Sequence, residues 1–235
     1  MLWLLPGWVA VAYAASNLIV IALLTVLKWL SMPVSSFLRP SIIEAAIATL
    51  IYILTITIVI AVPYVIKGKL TTNLKTLGLD KLVTWTDIGL APVIFIVYTV
   101  VASIIAAMIV ALVPSFPADQ IQDIGFRTFG TSTDNIVAFV TLVVLAPLAE
   151  ETLFRGYLYG KLKRYAPPVA AALVTSLLFA VAHFQWNVGV DVFVLSLFLC
   201  FLRSLTGSIW AGVLVHMIKN GIAYFILFVY PLIGS

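Results

Sequence analysis

Six side chains suited to acid–base or hydrogen-bond chemistry stand in otherwise apolar stretches: Glu150, Glu151 and Arg155 in LAEETLFRGYLYG, His183 in FAVAH, and His216 and Asn220 in HMIKN. His183 and His216 are the only 2 histidines of the chain. A carboxylate among apolar groups is poorly solvated, which suits it to take a proton from water as a general base. A neighbouring imidazole can share that proton transfer. A second imidazole and a carboxamide can donate hydrogen bonds to a developing oxyanion. Together these groups fit hydrolysis of a carbonyl compound by activated water. Glu150, His183 and His216 also form a set able to hold Zn2+ with one open position, as catalytic zinc sites do. The residues leave the two plans open.

Each group has a plainer role to set beside this. Glu151 and Arg155 are i and i+4, in the favourable acid-first order, and so can be a structural ion pair. A single histidine in a membrane helix is more often packed and hydrogen-bonded than catalytic, and asparagine commonly joins helices. Lys219 can snorkel or pair with a glutamate. Trp186, Trp210 and the tyrosines fit interface anchors. The joint pattern favours chemistry: a paired acid, two histidines and an asparagine at matching depths. Other catalytic plans lack their parts, since the chain has no HExxH, no GxSxG and no glycine-rich phosphate loop. Its 1 cysteine, Cys200, lies in an apolar run and reads as a small buried hydrophobe.

The elements that must position these groups follow from composition. The 235 residues are 63% hydrophobic and 9% charged, with mean hydropathy +1.20. A soluble domain carries about 25% charged residues, so the chain is expected to be one integral membrane domain over residues 1–235. Strand-type alternation is absent, and the expected class is an all-α, multi-pass transmembrane helical bundle. A spanning helix needs about 20 apolar residues. About seven stretches qualify, with six to eight possible: Trp8–Leu30, Ser41–Ile66, Ile88–Val113, Asn135–Lys161, Pro168–Trp186, Val188–Leu202 and Ser208–Tyr230. Residues 1–134 then supply the N-terminal spans and 135–235 the catalytic core. The N-terminal MLWLLPGW lacks a basic leader, so the first run is expected to be a retained span.

The net charge of +4 reports topology rather than nucleic-acid binding. Lys67, Lys69, Lys75, Lys81, Lys161, Lys163, Arg164 and Arg203 fall on one side. Asp119, Asp123, Asp134 and Asp191 fall on the other, with Arg39 and Arg127. The lysine-rich side is expected to be cytosolic. Seven spans then put the N-terminus inside and the C-terminus outside, with the segment 67–87 lying on the cytosolic face. Spans four and five form a hairpin turning near Tyr165–Pro167. At 1.5 Å per residue, Glu150 and His183 both lie about 25 Å from that turn. His216 and Asn220 are i and i+4 on the seventh span and lie in the same half. Three polar stripes can therefore converge.

At this point EETLFR, Glu150 to Arg155, resembles the EExxxR motif of the CPBP family of intramembrane proteases. This is the CAAX-protease and bacteriocin-processing family, which includes type II CAAX prenyl endopeptidase-like proteins. FAVAH, Phe179 to His183, resembles its FxxxH motif, and HMIKN, His216 to Asn220, its HxxxN motif. The resemblance covers residues 136 to 225. It implies a polar intramembrane cavity open to the cytosol and an endopeptidase acting on peptides or on C-terminally lipidated, CAAX-like substrates. Glu150 and His183 would activate the water, His216 and Asn220 would bind the oxyanion, and Glu151 and Arg155 would brace the site. The family's enzymes are discussed both as metalloproteases and as glutamate proteases. Two rival functions remain: a non-catalytic immunity or scaffold protein of the membrane, and a proton-coupled transporter. The expected partners are a peptide or prenylated protein and the cell membrane, with no nucleic acid.

Overall fold

The computed structural model describes residues 4–32, 37–68, 70–118, 120 and 131–229. Among these residues there are helices and no strands. In chain order they are α1 (Leu4–Trp29), α2 (Pro40–Lys67), the short α3 (Leu74–Leu77), α4 (Trp85–Leu112), α5 (Ser132–Leu162), α6 (Pro168–Val181), α7 (Trp186–Thr206) and α8 (Trp210–Val229). Six of these, all but α3 and α6, are long and apolar enough to cross a membrane. On α4 the outward residues Ile96, Val100, Ile104 and Met108 recur every four positions and are all more than half exposed. A helix with water on that face would carry polar side chains there.

The helix ends follow local chemistry. Pro40 opens α2, and Gly68 closes it with φ 66°, its N–H returning to Tyr64 O. Thr84 and Asp87 form a reciprocal capping box at the start of α4. α5 changes its winding twice, being π-helical over Val140–Leu145 and again over Thr152–Tyr159. The first π segment runs into Pro147, which has no N–H to donate four residues back.

The chain divides into two compact units. One comprises Met1–Pro6, Thr72–Asp123 and Glu151–Lys219. Its core is Ala91, Tyr98 and Ala102 of α4, Val194, Leu195, Leu199 and Leu202 of α7, and Ala211 and Val215 of α8. The other comprises Gly7–Thr71, Ile124–Glu150 and Asn220–Ser235. Ala138, Val143 and Tyr224 form a core cluster there. Polar links join its helices: Thr55 donates to Ser16 Oγ at 3.0 Å, and Ser41 donates to Asp134 Oδ1 at 2.6 Å.

Several expectations change. The fifth expected span, Pro168–Trp186, is helical only to Val181, a length of 14 residues or about 21 Å, short of a bilayer core of about 30 Å. The chain turns at His183 and Phe184, where Phe184 takes a left-handed φ of 53°. The sixth span, expected to be short, is the 21-residue α7. Among the described residues the count of crossing-length helices is therefore six, within the expected six to eight. Asp191 lies within α7, not in a loop. Lys69, Asp119, Asp123, Arg127, Tyr230 and the side chain of Lys67 lie outside the described residues.

Of the segment 67–87, expected to lie on the cytosolic face, residues 72–87 are built into the first unit. Asn73 and Thr76 cap α3 reciprocally, and Gly78 ends it with φ 73°. Ile209 N and Ser208 Oγ both donate to Gly78 O, at 3.2 and 3.3 Å. Arg203, counted with the lysine-rich side, is only 5% exposed. It donates to Thr76 O at 3.2 Å and to Gly207 O. α5 meets this turn through Gly156, where an added Cβ would lie 2.8 Å from Leu77 O. Backbone cannot give way as a flexible side chain can. Gly156→Ala is therefore expected to destabilise the fold by about 1–3 kcal/mol, as overpacking does. Denaturant unfolding of the purified protein in micelles checks it.

Candidate active site

Within the first unit lie four of the six candidate residues, and three of them, Arg155, His183 and His216, meet one aromatic ring, that of Phe179. Glu151 and Arg155 project one turn apart from α5, and both are fully buried. Arg155 Nη1 stands 3.1 Å from Glu151 Oε1, so the pair implied by the spacing is formed. The guanidinium Cζ lies 4.5 Å from the centre of the Phe179 ring, within the range of a cation–π contact. It makes these ionic and ring contacts rather than aligned hydrogen bonds among the described residues. Phe154, His183 and His216 meet the same ring edge-on, with centroids 4.8, 4.9 and 6.0 Å away. Phe179 is 1% exposed, and the aromatic of FAVAH thus organises both imidazoles.

The ring nitrogens are assigned by their partners. His183 Nδ1 lies 2.8 Å from Phe179 O. A carbonyl only accepts, so Nδ1 carries the proton and the lone pair of the neutral ring sits on Nε2. His183, expected inside a membrane helix, stands in the turn after α6, its backbone N–H given to Ala180 O at 3.1 Å. His216 is 3% exposed, and its Nδ1 donates to Glu151 Oε1 at 3.1 Å. α8 approaches Glu151 closely because residue 212 is glycine, where a Cβ would lie 3.1 Å from Glu151 Oε2.

The other two candidates belong to the second unit. Tyr52 of α2 donates to Glu150 Oε1 at 2.5 Å. Asn220 gives one N–H to Leu142 O, in the π-helical part of α5, at 2.9 Å. The amide has a second N–H to offer.

Among the described residues, no three His, Cys, Asp or Glu side chains are grouped as ligands of one ion. Both imidazoles have Nδ1 committed, to Phe179 O and to Glu151, which leaves Nε2 of each ring as the nitrogen for a proton or a metal ion.

Two tyrosines expected at the membrane interface are partners of half-buried acids. Tyr52 binds Glu150, and Tyr98 donates to Asp191 Oδ1 at 2.5 Å. Lys219 pairs with Asp191, at 3.6 Å, rather than with a glutamate. The signal missed was position: both tyrosines lie well inside apolar runs, where a hydroxyl needs a partner. Cys200 is fully buried, as its surroundings implied.

Comparison with known proteins bears on the same part of the chain. An uncharacterized 24.3 kDa protein of Escherichia coli is 38% identical over 89 residues, which cover 36% of this chain and 41% of that protein. The chain thus spans about two fifths of that relative's length. No solved structure matches the chain. The family model described as type II CAAX prenyl endopeptidase Rce1-like matches residues 132–222. The matched residues, 132–222, contain all three motifs.

Proposed function

We propose that the protein is an intramembrane endopeptidase that hydrolyses a peptide bond of a membrane-associated or C-terminally lipidated substrate. One observation supports this most directly: both imidazoles of the chain are held through Nδ1, by Phe179 O and by Glu151 Oε1. Oriented rings with a defined tautomer are what proton transfer requires.

In this proposal Glu150 takes the proton of the attacking water, and His183 assists through the lone pair on Nε2. The tetrahedral oxyanion is met by the second N–H of Asn220 and by His216. Since Nδ1–H of His216 is given to Glu151, the ring must carry both protons to donate through Nε2, and Glu151 is then the counter-ion beside it. Arg155 in turn balances Glu151. The amine leaving group is protonated by the acid formed in the first step. The lysine-rich loops would face the cytosol and the chain would reside in the cell membrane, with the site opening to the cytosolic side.

Vesicles containing the purified protein are expected to cleave a fluorogenic peptide ending in a farnesylated cysteine tail. The matched unlipidated peptide separates the two substrate classes. His216→Ala or Asn220→Ala should lower kcat by roughly 10²–10³, the effect of removing one oxyanion donor. Cleavage left intact in both variants would overturn these roles.

A further inference from the structure

We propose that Tyr98, Asp191 and Lys219 form a positioning clamp that sets the rotation of α8, and thereby holds His216 against Glu151. The inference rests on the functional reading of His216 given above. Lys219 lies inside HMIKN, yet none of the chemistry described so far uses it. Its Nζ stands 3.6 Å from Asp191 Oδ2, with side chains 19% and 38% exposed. A partly exposed ion pair of that length contributes little to stability, about 0–1 kcal/mol. Asp191, however, is not a loose surface acid. Its other oxygen accepts the Tyr98 hydroxyl at 2.5 Å. Tyr98 is 3% exposed and is gripped by the rings of Phe95 and Phe198, at centroid distances of 6.1 and 6.4 Å. Asp191 is thus locked from the buried side and presents a fixed carboxylate to Lys219. The links run from α4, outside the segment matched by the family model, through α7 to α8.

Geometry explains what this fixes. The start of α8 is pinned where Ile209 N meets Gly78 O at 3.2 Å and Trp210 N meets Ser208 Oγ at 3.2 Å. Lys219 pins the helix again, three residues beyond His216, so His216 lies between two anchors. With a Cα radius of about 2.3 Å, a helix rotation of about 20° moves a Cα by about 0.8 Å, and ring atoms further. A contact of 3.1 Å between His216 Nδ1 and Glu151 Oε1 does not survive such a shift as a hydrogen bond.

The test uses the full chain with 15N-labelled histidine. It has 2 histidines, and His183→Ala assigns their ring signals. Lys219→Met and Asp191→Asn are expected to shift the His216 Nδ1–H signal and leave that of His183 in place. Tyr98→Phe changes no charge, and is expected to shift the same signal in the parent but not in an Asp191→Asn background. Lys219→Arg, which keeps the cation, should restore it. Where the reporter peptide is cleaved, kcat should fall about 10- to 100-fold in Lys219→Met, as expected for misplacement near 1 Å, while KM moves less than kcat. An unmoved His216 signal in all three variants overturns the clamp, as does an effect of Tyr98→Phe that adds to Asp191→Asn. The ring signals decide the clamp even if the protein cleaves none of the peptides offered, so its failure is distinct from failure of the protease proposal.

Discussion

Glu150→Gln is expected to leave a folded protein that no longer cleaves. The glutamine keeps the size of the side chain, and its carbonyl oxygen can accept the Tyr52 hydroxyl that now donates to Glu150 Oε1 at 2.5 Å. What it loses is the ability to take a proton from water. Removing a general base lowers rates by about 10²–10⁴, and the loss should appear in kcat rather than KM. The measurement is cleavage of the reporter peptide in vesicles, beside thermal unfolding of the same preparation. A non-catalytic membrane protein predicts the reverse, with little activity to lose and lowered stability from a half-buried hydrogen bond made weaker. Parent-like cleavage by a folded Glu150→Gln protein ends the assignment of Glu150 as the base.

The largest expected change in stability comes from the neighbouring acid. Glu151→Ala leaves Arg155, whose side chain is 0% exposed, without its 3.1 Å counter-ion. Breaking one side of a buried pair costs about 3–5 kcal/mol, a large share of a typical folding free energy. His216 loses its Nδ1 partner in the same step. Replacing both charges by apolar groups of similar volume removes the uncompensated cation, so Glu151→Leu combined with Arg155→Met is expected to unfold closer to the parent than Glu151→Ala alone. The double variant should still cleave poorly, because no acceptor holds the His216 ring. Denaturant unfolding in micelles orders the three proteins. Equal stability of Glu151→Ala and parent would mean that the carboxylate does not compensate the guanidinium.

Much of this was legible before any coordinates. Hydropathy and helical spacing are local properties, and they located the apolar runs that became α1, α2, α4, α5, α7 and α8. The same spacing paired Glu151 with Arg155 on one face of α5. The turn at His183 was not legible, because FAVAHFQW carries no proline or glycine to mark a helix end. Its left-handed Phe184 is a residue type that rarely announces such a conformation.

Composition and periodicity alone established a helical membrane chain and the three polar motifs it carries, since burial of apolar side chains and i, i+4 adjacency need only neighbouring residues. Only the tertiary structure decided which partner each polar group keeps: Glu151 for His216, Tyr52 for Glu150, Leu142 O for Asn220, and Asp191 between Tyr98 and Lys219. Those choices depend on the rotation and close approach of helices far apart in sequence. Glycine at 212 permits the approach of α8 to Glu151, and glycine at 156 that of α5 to Leu77, and no local pattern records which neighbour they admit.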